Sequence, residues 1–388
     1  MLLKQDDTHE PEMNQPILAD HESSYVIELS VIVPTFNERG NASELVDRLE
    51  ACLAPFRWEV IFVDDDSPDG TAEQVRSISA GNRQVRCVQR LGRRGLSSAC
   101  IEGFLSSAAP YLAVIDGDLQ HDETLLPQML ETLKKGETDI VLGSRYVAGG
   151  GIGDWNQTRA WMSRVATQLS SLILRADLTD PMSGFFMIRR DALNDTVRNL
   201  SGMGFKILVD LFASSPRPLR FKELPYEFRS RQIGESKLDH YAVWEYLTLL
   251  LDKMIGHIVP VRFITFSLVG GLGIAVHLLI LSLLFKGLQT GFVASQAIAT
   301  VIAMTFNFAL NNVLTYRDMR LKGWGWLRGW VSFTLGCSIG AFANVGIASY
   351  LYSMDTFWVA SSIAGIIIGA VWNYAVTATF TWGKPKAR

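Results

Sequence analysis

The stretch WEVIFVDDDSPDGTAEQV, Trp58 to Val75, decides the fold. Residues 58–63 form an apolar run rich in β-branched and aromatic side chains, which reads as a strand. Three aspartates, Asp64 to Asp66, follow at once. Asp69-Gly70 marks a turn, and the spacing becomes helical from Thr71. Upstream, ELSVIVPTFNERGNASELVDRLEACL has the same form: an apolar run from Leu29 to Val33, then Pro34, Asn37 and Glu38, then Leu45, Leu49 and Leu53 at helical spacing. Downstream, a strand near 85–89 precedes RLGRRGLSSACIEGF, a basic, glycine-containing loop that opens a helix, and a fourth strand is YLAVID. Strands alternating with helices predict an α/β domain, a mostly parallel sheet with helices on both faces. Ligands of such sheets sit at the carboxyl ends of the strands. Acidic residues fall there after three of them: Glu38, Asp64 to Asp66, and Asp116 with Asp118.

The third of these groups, VIDGDLQHDE (114–123), puts four carboxylates and a histidine at the end of one strand. Like charges repel and each costs desolvation, so something positive belongs beside them. Asp116, Gly117, Asp118 and Gln120 offer oxygen ligands, and no cysteine or second histidine joins His121. Oxygen ligation suits Mg²⁺ or Mn²⁺, which in turn bind a diphosphate; the plainer reading is an acidic surface turn. Asp122 and Glu123 read as the start of the next helix, whose N-terminus favours negative charge. His121 reads as structural.

The chain has 388 residues and a net charge of −3, which gives no reason to expect a nucleic-acid partner. Cys52, Cys87, Cys100 and Cys337 lack metal-ligand spacing and read as reduced thiols or small core fillers. Residues 1–25 are polar and acidic without the apolar centre of a signal peptide, and read as a disordered tail. The soluble domain is assigned to 26–240, and 241–260 to an interfacial helix or linker.

Four apolar runs follow, near 263–285, 291–314, 330–352 and 357–382, each long enough to cross a bilayer. Arg317, Arg320, Lys322 and Arg328 lie between the second and third, Lys384, Lys386 and Arg388 in the tail, and Lys253 and Arg262 before the first; the other loops hold only Lys286. Both termini and the soluble domain are therefore expected on the cytoplasmic side. FNFALNNVLTYRD (306–318) aligns with WNYAVTATFTWGK (372–384), so that Asn307 matches Asn373. One register further, Leu268 matches Leu335 and Gly273 matches Gly340. The repeat is two helices long, so both copies share one orientation. An intramembrane asparagine is costly unless paired. Asn307 and Asn373 read either as helix-packing hydrogen bonds or as contacts to a lipid headgroup or substrate. The region resembles the four-helix GtrA-type membrane domain over 261–384.

VPTFNE, VDDDSPDGT, DGDLQH, GSRY, DPMSGF and RQIGESKL, in that order, resemble the family 2 glycosyltransferases of GT-A fold. SPDGT, LQH and GESKL resemble the dolichol-phosphate mannose synthases in particular. Two positions depart from the family: Phe36 stands where a tyrosine is usual, and Gly117 where alanine is common. The resemblance implies that Pro34, Phe36, Glu38, Val63 and Asp65 hold the nucleotide, Asp65 accepting from the base edge. Asp116, Gly117 and Asp118 would line the sugar nucleotide, with Asp118 and Gln120 on Mg²⁺ or Mn²⁺. Arg145, Arg231 and Lys237 would face phosphates, and Asp116, Asp118 and Arg145 would form the catalytic set. Between GSRY and DPMSGF, near 157–175, Trp155, Trp161, Val165, Leu169, Leu172 and Ile173 form an apolar stripe. It reads as an interfacial amphipathic helix or as one packed within the soluble domain. The resemblance implies that Arg145, Arg159, Ser163 and Arg164 hold the acceptor phosphate.

The activity so implied is inverting transfer of a hexose onto a polyprenyl or dolichyl monophosphate in the bilayer. GDP-mannose is the first expectation for the donor and UDP-glucose the second. A processive polysaccharide synthase would carry a QxxRW motif, and QTRAW at 157–161 has the wrong spacing. A lipid-linked sugar flippase with a regulatory soluble half is the alternative of another class. A homo-oligomer formed through the membrane domain is a further expectation.

Overall fold

The computed structural model describes residues 26–152, 165–171, 173–174, 176–229, 240–256, 258–354 and 358–383. The chain divides into two compact units, Met1–Leu238 and Asp239–Arg388.

The first unit is built on a seven-stranded sheet of order β3-β2-β1-β4-β6-β5-β7. β1 (Leu29–Thr35), β2 (Trp58–Asp64), β3 (Val85–Gln89) and β4 (Tyr111–Val114) run parallel. β6 (Phe186–Arg189) is antiparallel to β4 and to β5 (Ile140–Ser144), which pairs in parallel with β7 (Phe221–Pro225). Every residue of β2 is buried. Val60 and Phe62 enter one apolar cluster, Ile61 and Val63 the other. That two-sided burial is why the strand reads as a continuous apolar run. α1 (Ala42–Leu53) and α4 (Leu126–Lys134) cover the first face; α3 (Leu96–Leu105) and α6 (Ile207–Ser214) cover the second. α2 (Thr71–Gly81) packs beside β3, and α5 (Arg190–Thr196) follows β6.

Pro34 sits in a central strand, where a missing N–H normally breaks a ladder. Here the β1–β4 ladder ends at Ile32–Val114, so Pro34 lies beyond it. The loops that follow β1 and β4 begin at these carboxyl ends.

The second unit holds α7 (His240–Ile255), α8 (Val261–Ser282), α9 (Phe292–Val313), α10 (Trp324–Ser353) and α11 (Trp358–Val376). Among the described residues, two helical stretches, Val261–Gly287 and Phe292–Val313, are long and apolar enough to cross a membrane. The sequence places the third run at 330–352, but α10 begins six residues earlier. Gly323, at φ 53°, closes the loop, and Trp326 then packs edge-on to Phe308, ring centroids 5.0 Å apart. Arg328 therefore lies on a helix rather than in a basic loop.

The internal repeat is visible as paired contacts. A Cβ built on Gly273 would stand 2.2 Å from Asn307 Oδ1; one on Gly340 would stand 1.9 Å from Asn373 Oδ1. Each glycine is thus a notch filled by the asparagine of its own repeat. Among the described residues neither asparagine oxygen has a hydrogen-bond donor, so the expected helix-packing hydrogen bond is not seen, and each side chain fills its notch sterically. Phe333 packs on Phe308, centroids 5.6 Å apart, and its repeat counterpart Phe266 packs on Tyr374 at 5.8 Å. Tyr316 and Trp382, which also correspond, stack on each other at 4.2 Å and 5°.

Candidate active site

The loops after β1, β2 and β4 leave the sheet at one edge, and each contains a non-glycine residue in left-handed backbone: Asn37 (φ 57°), Asp66 (φ 57°) and Leu119 (φ 63°). Such strain costs on the order of 1–3 kcal/mol per residue and clusters at functional sites. Leu119 is the least suited of the three to it.

The first two loops are locked together. The SPDGT turn provides the lock, a role that its sequence does not specify. Asn37 N–H donates to Ser67 Oγ (3.0 Å), Glu38 N–H to Thr71 Oγ1 (3.1 Å) and Arg39 N–H to Asp69 Oδ2 (3.2 Å). Asp64 is fully buried, with its carboxylate turned to Ser67 N–H (2.9 Å) and Ser67 Oγ (2.5 Å). It is a turn-builder, not a ligand-facing acid. Pro34 and Val63 are register partners beneath these loops.

Asp65 is also engaged. Arg90, 2 % exposed, donates to its Oδ1, and Gly95 N–H to its Oδ2 (2.7 Å). Burial raises the Asp65 pKa against these two opposing contacts. Arg90 further reaches Glu102, Gly95 O and Ser98, so the acidic turn and the basic 90–95 loop form one structure. From that loop the Arg94 guanidinium lies 4.3 Å over the Phe36 ring. Neither Arg90 nor Arg94 is recognisable beforehand, because a basic loop does not declare which cation turns inward.

The third loop carries the acids of interest. Asp118 and Gln120 are each 7 % exposed, and Gln120 N–H donates to Asp118 Oδ1 (3.2 Å) across the left-handed Leu119. Gln120 Nε2 donates to the Arg229 carbonyl (3.0 Å). A carbonyl only accepts, so the amide orientation is fixed and Oε1 is the atom left for a cation. Among the described residues no three His, Cys, Asp or Glu side chains converge as a closed metal cage. An Asp118–Gln120 pair suits Mg²⁺ or Mn²⁺, which take remaining ligands from phosphate and water. Gly117 approaches Thr35 and Glu38; a Cβ there would be 3.1 Å from the Thr35 methyl, so alanine requires a small shift of that side chain. Gly184, from DPMSGF, backs the Asp116 carboxylate, where a Cβ would lie 3.1 Å from Oδ2.

His121 is structural, as its sequence context suggests. It is 3 % exposed, stacked on Phe185 (5.3 Å) and edge-on to Tyr226 and Phe228. Nδ1 accepts the Asp116 N–H (3.2 Å), which leaves the proton on Nε2, 3.9 Å from Asp116 Oδ2. Burial lowers its pKa from 6.5 to about 4. The unfolded chain takes up a proton at higher pH than the folded one. The contribution of this site is therefore fully present above about pH 6.5 and declines towards pH 4, by about 3 kcal/mol in total. Melting curves of wild type and His121→Phe should converge in their pH dependence outside that window and differ within it.

GSRY and DPMSGF meet in one buried ion pair. Arg145 donates to Asp180 through Nε and Nη2 (2.7 Å each) and through its backbone N–H (3.1 Å). Asp180, which opens the DPMSGF motif but has no role assigned from sequence, fixes the guanidinium plane at the edge of the His121 aromatic group, 5.4 Å over Phe228. Arg159, Ser163, Arg164, Arg231 and Lys237 lie outside the described residues, as do Trp155, Trp161 and Leu172 of the apolar stripe.

Residues 30–197 match the family Glycosyl transferase family 2, and residues 265–382 match the GtrA/DPMS transmembrane domain. A dolichol-phosphate mannosyltransferase of Pyrococcus furiosus is 33% identical over 362 residues, 92% of this chain and 99% of that protein. The chain belongs to the dolichol-phosphate mannosyltransferase family. The Saccharomyces cerevisiae member is 38% identical over 235 residues, 58% of this chain and 86% of that one. A glucosyl-3-phosphoglycerate synthase from Mycobacterium tuberculosis, solved with Mn²⁺, UDP and glucosyl-3-phosphoglycerate, shares 18% identity at a TM-score of 0.44 over 58% of this chain and 80% of its own. The family match bears out both resemblances drawn from the motifs. The chain is a membrane-associated glycosyltransferase with a GT-A-type sheet.

Proposed function

We propose that the chain transfers mannose from GDP-mannose to the phosphate of a dolichyl or other polyprenyl phosphate, with inversion at the sugar C1. The observation that carries this is correspondence along nearly the whole length of both chains to a protein named for that reaction. Phe36, Glu38 and Asp65 line the strand ends where the nucleotide belongs, and Asp116 to Asp118 line the sugar end. Asp118 and Gln120 would hold the divalent cation, Mg²⁺ or Mn²⁺. Bound there, it neutralises charge developing on the diphosphate leaving group.

The lipid phosphate is already an anion at neutral pH, so attack needs no general base. His121 is unsuited to that part, since its Nδ1 is occupied and its pKa depressed. What the protein must do is align two phosphate-bearing molecules against their repulsion. Arg145, held in plane by Asp180, and Arg159, Ser163 and Arg164 are assigned to the acceptor phosphate; Arg231 and Lys237 are assigned to the donor diphosphate. Four membrane crossings with both termini cytoplasmic complete the proposal, and the membrane domain is the candidate surface for a homo-oligomer.

Purified full-length protein given radiolabelled GDP-mannose, polyprenyl phosphate and Mn²⁺ is expected to form a β-mannosyl phospholipid. UDP-glucose should give a rate at least tenfold lower. Transfer from UDP-glucose alone would reassign the donor, an α-linked product would exclude the inverting displacement, and no transfer from any common donor would favour a transporter.

A further inference from the structure

Arg229 lies just past β7 and is the residue most entangled with the cation turn. Its backbone is joined to Gln120 twice: Arg229 N–H donates to Gln120 O (2.9 Å), and the Gln120 side-chain Nε2 donates to Arg229 O (3.0 Å). Its guanidinium closes the other side of the same turn, with Nη1 on Glu123 Oε2 (2.6 Å) and His121 O (3.3 Å), and Nη2 on Asp122 Oδ1 (2.8 Å). Arg48 of α1 approaches Glu123 from the far side at 3.8 Å. The Arg229 side chain is only 36% exposed and that of Glu123 9%.

We propose that Arg229 is a positioning residue for the divalent cation, acting through Gln120. A glutamine amide has two orientations of similar shape, and only one presents oxygen to a cation. The Arg229 carbonyl selects it by accepting from Nε2, and the guanidinium fork holds that carbonyl in register by gripping Asp122 and Glu123. The same fork neutralises two carboxylates next to Asp118, which removes a like-charge repulsion from the turn. The reciprocal arrangement also explains the strained Leu119: a latch on both sides over-determines a conformation that leucine avoids. This proposal rests on the cation assignment to Asp118 and Gln120 made above.

The experiment measures Mn²⁺ binding rather than turnover. Full-length protein in nanodiscs is titrated with Mn²⁺ in the presence of GDP, and unbound Mn²⁺ is read by electron paramagnetic resonance. Arg229→Met is expected to weaken Mn²⁺ binding roughly tenfold or more, the usual effect of losing a residue that orients a ligand. Arg229→Lys, which keeps the charge but loses the fork, should fall between the two. Gln120→Ala added to Arg229→Met should weaken binding little further, because both act through one amide. Wild-type Mn²⁺ affinity in Arg229→Met, whatever its melting temperature, overturns the proposal, and so does full additivity with Gln120→Ala. Should Arg229→Met fail to fold, Arg229→Lys decides by the same criterion. Failure of wild type itself to bind Mn²⁺ with GDP would overturn the cation assignment, an outcome separate from an unmoved variant.

Discussion

Asp118→Ala should reduce mannosyl transfer by roughly a thousandfold, about 4 kcal/mol of barrier, while leaving the fold intact. Two features make the two outcomes separable. The Asp118 carboxylate accepts from the local Gln120 N–H at 3.2 Å, a contact worth about 1 kcal/mol. Among the described residues, the acids that follow it in the turn, Asp122 and Glu123, are held by Arg229. Transfer assayed with labelled donor across a Mn²⁺ series, beside a circular-dichroism melt, checks both halves. Full activity in a folded Asp118→Ala would remove this turn from the mechanism.

Gly340→Ala is the second change with a large expected effect, here on assembly of the membrane domain. Alanine within a helix ordinarily gains about 1 kcal/mol over glycine. At Gly340 the new methyl would occupy a point 1.9 Å from Asn373 Oδ1 and 3.0 Å from Trp372 Cδ1. Either the Asn373 side chain must leave the notch or the helix pair must separate, at a cost of roughly 1–3 kcal/mol. The loss exceeds the gain, so destabilisation is expected, and Gly273→Ala should do the same through Asn307 in the other repeat. Gly270 and Gly271 have nothing within 4 Å of the corresponding point. Alanine at either should be neutral or mildly stabilising, which separates notch-filling from a general effect of helical glycine. Detergent-denaturation midpoints of the four single variants make the comparison.

Much of this molecule is legible in its sequence. Periodicity alone predicts alternating strands and helices, and the alignment of Glu38, Asp64–Asp66 and Asp116–Asp118 at one sheet edge follows from parallel strands. What composition could not convey is which polar group faces inward to another. Asp64 and Asp65 look equivalent in the chain, yet one builds the Ser67 turn and the other anchors Arg90. Arg145 reads as a phosphate ligand, but its rigid plane depends on Asp180, thirty-five residues away. Asp122 and Glu123 read as helix-start acids. Asp122 does accept from Thr124 N–H, but both carboxylates also answer to Arg229, a partner more than a hundred residues distant. Such pairings are long-range, and spacing in one dimension cannot specify them.

The stacked rings of Tyr316 and Trp382 join corresponding positions of the two membrane repeats. A two-helix chain that dimerised symmetrically would have to place the same residue on both sides of its axis. It could change that residue only in duplicate. Carrying both copies on one chain lifts the restriction: tyrosine faces tryptophan, and the position held by Phe308 in one repeat is held by Tyr374 in the other. The short connection between α9 and α10 also replaces a bimolecular encounter with an effective concentration on the order of millimolar. The aromatic cluster is in that sense a dimer seam sewn shut, with its two edges free to evolve apart.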